Sequence, residues 1–86
     1  MKYLIISFNS RNSVMTFAKL ARKNGLYTSI INTPRSVSVS CGLSVRTEFQ
    51  NLQSIISLLK KSNLSGLIGV YSITRKGQYE EIEKFY

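Results

Sequence analysis

Cys41 is the only thiol in the chain and its strongest candidate nucleophile. It lies in the stretch Thr33-Pro34-Arg35-Ser36-Val37-Ser38-Val39-Ser40-Cys41-Gly42-Leu43-Ser44-Val45-Arg46. A thiol attacks, or carries sulfur, through its thiolate. A free cysteine has a pKa of roughly 8.5, which nearby cations or a helix N-terminus lower. Arg35 and Arg11 are the candidate cations. The start of a first helix, around Ser10 and Arg11, would add unpaired backbone N–H groups. Ser40 and its neighbouring serines offer hydroxyl donors to an anion, and Gly42 lets a bound group approach the backbone.

The same stretch has a second reading. Val37, Val39, Cys41, Leu43 and Val45 alternate with Ser36, Ser38, Ser40, Gly42 and Ser44. One straight strand would bury Cys41 among apolar side chains, where a free cysteine is a small inert hydrophobe. Pro34 and Gly42 argue against an unbroken strand, because each tends to mark a turn, bend or bulge. The pattern leaves both readings open.

Other chemistries are easier to exclude. With no His and one Cys, a single chain cannot assemble a structural zinc set or a Ser-His-Asp or Cys-His site. No Walker A or GxGxxG motif is present, and no cofactor is expected. Glu80, Glu81 and Glu83 read as a solvated tail rather than paired catalytic carboxylates.

The elements that must position Cys41 follow from hydrophobic periodicity. Residues 2–8 are nearly all apolar and suit a covered strand. Asn9, Ser10 and Asn12 are N-cap types. They precede Val14, Phe17, Ala18, Leu20 and Ala21 at helical spacing, and Gly25 is the expected C′ residue. Residues 27–32 form a second strand, broken at Thr33-Pro34-Arg35, and a third ends near Arg46 or Thr47. Thr47-Glu48-Phe49-Gln50 matches a capping box with Thr47 as N-cap. It opens a helix whose buried stripe is Leu52, Ile55, Ile56 and Leu59. Residues 67–73 make the last strand. Residues 75–86 are expected as a C-terminal tail, loose or a short docked helix, after a domain spanning 1–74.

The order β-α-β-β-α-β predicts an α+β, ferredoxin-like fold. Its four-stranded antiparallel sheet would have the order 4-1-3-2, with both helices on one face. The end of strand 1, the start of helix 1 and the start of strand 3 would then share one edge of the sheet, so Ser10, Arg11, Cys41 and Gly42 should converge there.

The chain of 86 residues carries 12 Lys or Arg against 4 acids, a net charge of +8, and three of the acids fall within residues 80–86. A body this basic favours anionic partners. No stretch approaches the ~18 apolar residues needed to span a bilayer, and a single cysteine agrees with a reducing compartment. A cytoplasmic protein with no membrane partner is expected. Nucleic acid ranks lower as a partner. RNA-recognition sheets stack bases on aromatics in strands 1 and 3. Strand 3 here has none, and Tyr3, Phe8 and Tyr27 are scattered. The open sheet face also offers a surface for small-molecule sensing or for a homodimer.

One resemblance sharpens this picture. The opening strand, Pro34-Arg35, Ser40-Cys41-Gly42-Leu43, and Arg46 before the second helix resemble the DUF3343 family of small bacterial Se/S carrier-like proteins, over roughly residues 2–73. The resemblance implies a non-enzymatic carrier in which Cys41 holds a persulfide or selenium adduct. Pro34 and Arg35 would shape and charge the loop, Gly42 would make room, and a sulfur or selenium donor or acceptor protein would be the partner. The heavy basic charge and the segment after Ile73 depart from the family's pattern.

Overall fold

The computed structural model of the chain describes residues 1–37 and 42–86. The fold is built outward from β1 (Lys2–Phe8), in which Leu4 to Phe8 are all buried. Backbone polar groups removed from water need protein partners, and β1 finds them on both sides. It pairs antiparallel with β3 (Leu43–Glu48) and with β4 (Leu67–Lys76). β2 (Thr28–Asn32) pairs with the free edge of β3, and β5 (Tyr79–Lys84) with that of β4. The result is a five-stranded antiparallel sheet in the order β2-β3-β1-β4-β5.

The first four strands keep the expected order 4-1-3-2, but the expected count of four is corrected to five. A fifth strand extends the sheet beyond β4, where a short helix or loose tail was expected. The hairpin turns at Gly77, which takes the positive φ of 59° that tight hairpin connections demand. Its acids are then matched by cations on the neighbouring strand. Arg75 lies 3.6 Å from Glu80, and Lys76 lies 2.9 Å from Glu81. These exposed pairs contribute little to stability, about 0–1 kcal/mol each, but they fit the register. Beyond β5, the Phe85 amide donates to the Val70 carbonyl at 2.8 Å, and its ring packs 5.9 Å from that of Phe49.

Both helices cover one face. α1 (Arg11–Lys23) buries Val14, Phe17, Ala18 and Ala21, and α2 (Leu52–Ser62) buries Ile55 and Leu59. They close over Leu4, Ile6 and Phe8 of β1, Val45 of β3 and Val70 of β4. The Phe8 and Phe17 rings meet at 5.7 Å in a tilted pair, an arrangement worth roughly 0.5–1.5 kcal/mol beyond its buried area. α1 is capped by Ser10, whose Oγ accepts from the Ser13 amide at 3.4 Å, and Gly25 follows the Asn24 C-cap.

The capping box at Thr47 does not form. β3 runs on through Glu48, a 3-10 turn covers Phe49–Asn51, and α2 starts at Leu52 behind an Asn51 N-cap. The Thr47 hydroxyl instead donates to the Tyr27 carbonyl at 2.8 Å and accepts from Asn51 Nδ2 at 2.8 Å. Gln50 turns to Glu48, at 2.9 Å. A cross-strand bond to a fixed carbonyl has displaced the local cap.

Among the described residues no helix covers the other face, yet Ile5 and Ile73 on it are fully buried. Long side chains of neighbouring strands share that face with them. The Arg46 guanidinium carbon lies 4.1 Å from the Tyr3 ring centroid, and Lys84 Nζ lies 5.9 Å from that of Tyr71. The Lys84 stem and Tyr71 ring fold over Gly69, where an added Cβ would come 2.9 Å from Lys84 Cε and 3.1 Å from Tyr71 Cε1. Among the described residues, no helix is long and apolar enough to cross a membrane.

The connection from α2 to β4 is tied to the start of α1. The Asn9 amide donates to the Gly66 carbonyl at 2.7 Å, and Ser13 Oγ donates to the Ser65 carbonyl at 3.0 Å. Gly66 has φ 80°, and an added Cβ there would collide with the Asn9 side chain. Gly66→Ala therefore combines an unfavourable backbone with a clash, and should lower the unfolding free energy by about 1–3 kcal/mol. Urea denaturation followed by circular dichroism measures it, with the m-value unchanged.

Candidate functional site

Cys41 and Ser40 lie outside the described residues, but both ends of their loop are fixed. β2 ends at Asn32 and β3 begins at Leu43, a cross-strand pair. One step further out, the Thr33 amide donates to the Gly42 carbonyl at 3.1 Å, closing the base of the loop. The Val37 amide donates to the Pro34 carbonyl at 2.9 Å, so residues 34–37 form a turn. Of the alternating set Val37 to Val45, Val37 closes this turn. Only Leu43 and Val45 of that alternating set join the core among the described residues.

The base of the loop rests on a row of buried hydroxyls that sequence reasoning did not identify. Ser44 and Ser7 face each other across the β3–β1 pair, with their Oγ atoms 2.8 Å apart. Thr33 Oγ1 joins Ser44 Oγ at 2.5 Å. Ser7 and Ser44 are fully buried and Thr33 nearly so. The row lies on the sheet face opposite the helices, because Ser7 alternates with Ile6 and Phe8, which point into the core. Its sequence signal is weak: a serine interrupting the apolar run of β1, and a serine in the alternating set of β3. Neither reveals that the two meet until the register is known.

The remaining expected site residues divide into two groups. Pro34, half-buried, and Arg35 and Gly42, both exposed, belong to the loop. Ser10 and Arg11 belong to the start of α1, where Ser10 serves as the cap and Arg11 is an exposed first helical residue. Both groups stand at the same end of the sheet, because β1 ends where β3 begins, with Ser7 opposite Ser44. Among the described residues, no hydrogen bond or ion pair links the two groups. Gly42 was expected to make room. A Cβ placed there meets nothing within 4 Å, so no steric demand among the described residues requires glycine. What Gly42 contributes is the carbonyl that closes the loop.

The arrangement can hold a short loop in one register against the central strand, with Cys41 the residue immediately before the closing glycine. Ser44 is its pivot, since it meets both other hydroxyls. Ser44→Ala should cost about 1–3 kcal/mol by leaving buried hydroxyls short of a partner. Ser7→Ala with Ser44→Ala should cost less than the two single changes summed. A double-mutant cycle of urea unfolding measures both effects.

Among known proteins, neither the curated sequences nor the solved structures gave a match. Residues 2–68 match the model of a family described as "Putative Se/S carrier protein-like", a span that takes in β1 to the start of β4 and the whole Cys41 loop. On that match over most of its length, the chain belongs to the Se/S carrier protein-like family.

Proposed function

We propose that the protein is a sulfur or selenium carrier that loads its cargo on Cys41. The observation that carries this reading is the family match across residues 2–68, which contains the only thiol in the chain. The geometry is consistent with it. The loop is closed at Thr33 and Gly42, and its base is braced by Thr33, Ser44 and Ser7.

In this reading the Cys41 thiolate attacks the terminal sulfur of a persulfide on a donor protein. A sulfur–sulfur bond forms to Cys41 while the donor's own sulfur–sulfur bond breaks. Its electron pair leaves with the donor sulfur as a thiolate, so no outside oxidant or reductant is consumed. Delivery runs the same exchange in reverse towards an acceptor thiol. A terminal selenium transfers by the same step. Arg35 supplies positive charge on the loop, and Arg11 with the α1 N-terminus supplies it at the same end of the sheet; both favour the thiolate and the anionic adduct. Pro34 restricts the turn that follows β2. Ser40 and Ser10 are the neighbouring hydroxyls available to an anion. The protein carries rather than catalyses, and a reducing cytoplasm suits its free thiol.

Incubating the folded protein with a persulfide donor and measuring its intact mass tests the proposal. The wild type should gain one sulfur atom, lost again on reduction, and Cys41→Ser should gain none. A folded wild type that takes up no sulfur, or a Cys41→Ser variant that takes up as much, overturns it.

A further inference from the structure

The end of the sheet opposite the Cys41 loop carries a different arrangement. The start of β1, the end of β3 and the approach to β2 border a groove of about 640 Å3, lined by Lys2, Tyr3, Tyr27, Arg46, Glu48 and Phe49 among others. Its volume falls within the ~300–1,000 Å3 of ordinary ligand sites. From Gly42 to Glu48 along β3 the separation from the loop is roughly 20 Å.

Three features of the groove point to one ligand chemistry. Tyr27 leaves 80% of its surface in water, although its backbone is fixed by the bond from Thr47 Oγ1 to its carbonyl. It is an aromatic plate on a rigid mount. The Arg46 guanidinium carbon lies 4.1 Å from the Tyr3 ring centroid while Nη2 reaches the exposed Met1 sulfur at 4.0 Å, so the Arg46–Tyr3 pair is a second, cationic platform in the groove. Lys2, which leaves β1 on the helix side with Leu4, sits 4.0 Å over Phe49 at the rim of the sheet and lines the groove from that edge. Neither Lys2 nor Arg46 has an acidic partner among the described residues. The same sheet face continues to Tyr71, diagonal to Tyr3 on β4, with Lys84 beyond it on β5. Flat π surfaces alternating with unneutralised cations are what successive bases and phosphates of an unpaired strand require. The net charge of +8 adds attraction at long range. Glu48, the one acid in the groove lining, would accept from the exocyclic amine of a base.

We propose that this groove and the sheet face beside it bind single-stranded nucleic acid, with bases stacked on Tyr27 and on the Arg46–Tyr3 pair, and Lys2, at the rim of the groove, on the phosphates. Sequence spacing counts against such a platform, because Tyr3, Phe8 and Tyr27 look scattered. The register assigns their places differently: Phe8 enters the core, while Tyr3 and Tyr27 line one groove. This site is independent of the proposed carrier chemistry.

Fluorescence anisotropy of a labelled, mixed-sequence RNA strand of about 12 nucleotides, within the usual range of site sizes, tests the proposal. The wild type should bind at low salt and weaken as salt rises, with a slope of about −0.7 per phosphate contact. Tyr27→Ala should weaken binding roughly 5- to 150-fold, and Tyr27→Phe should restore it. Tyr27 is so exposed that neither change threatens the fold, which circular dichroism confirms. The double change Lys60→Ala with Lys61→Ala, at the end of α2 on the helical side of the sheet, should stay within about twofold of the wild type. Cys41→Ser should bind as the wild type does. The proposal is overturned by absence of binding at low salt, by a Tyr27→Ala protein that binds unchanged, or by a Lys60/Lys61 or Cys41→Ser variant that loses as much. Duplex RNA bound as tightly as the single strand overturns it as well.

Discussion

Five consecutive residues of β1, Leu4 to Phe8, are buried on both faces of the sheet, and most of the structure follows from meeting that demand. A strand so placed has nowhere to send its backbone amides and carbonyls except to neighbours on both sides. β3 and β4 supply those partners, and each in turn presents a free edge that β2 and β5 cover. The two side-chain faces are met by different means. Leu4, Ile6 and Phe8 are covered by two helices, at the cost of ordering both. Ile5 has no helix above it among the described residues, and its cross-strand neighbours on that face are the long side chains of Arg46 and Tyr71. That second solution leaves charged head groups and tyrosine rings lying across the outer face, which gives the face a chemistry that a helix-covered face would lack.

The antiparallel arrangement separates two kinds of surface. The end at which β1 finishes collects the loop base, the hydroxyl row and the start of α1. The end at which β1 starts collects Tyr3, Arg46, Tyr27 and Phe49. Because Ser7 opposes Ser44 while Tyr3 opposes Glu48, the register that sets one end sets the other. A slip of β1 by one residue against β3 would turn Ser7 towards the helices and Ile6 away from them, parting both Ser7 from Ser44 and Ile6 from Val45. The polar and apolar patterns of β1 and β3 thus enforce the same alignment. Burial of Ile6 against Val45 dominates its energy, and the Ser7–Ser44 bond penalises the alternatives.

Much of this is legible in the amino-acid order. Alternation and caps place β1, both helices and β3 within a few residues, and Ser10 and Gly25 take the capping places their types suggest. The expectations that fail do so where a distant partner outcompetes a local motif. Thr47 has the sequence context of an N-cap, but the Tyr27 carbonyl lies within reach across the sheet, and only the register of β2 on β3 reveals that. Residues 79–84 are rich in Glu, a poor strand former by propensity. They pair because Gly77 supplies the turn and because Arg75 and Lys76 stand opposite Glu80 and Glu81, or nearly so. The hydroxyl row is hidden for the same reason: Ser7, Thr33 and Ser44 are far apart in the chain, and small polar residues leave no periodic trace of their own.

The two readings of the cysteine divide on where the third strand starts. An alternating pattern buries every second residue only while the chain stays extended and paired. The described strand begins at Leu43, so the packing of Leu43 and Val45 speaks only for residues within β3. Cys41 lies, in the chain, between Thr33 and Gly42, two residues joined by one hydrogen bond that continues the β2–β3 pairing by one step. Closing a connection this short is entropically cheap, since the cost rises only slowly with length. The bond from Thr33 to Gly42 and the hydroxyl row beside it tie both ends of that connection to β3 and β1, so any chemistry at Cys41 takes place one residue along the chain from a fixed base.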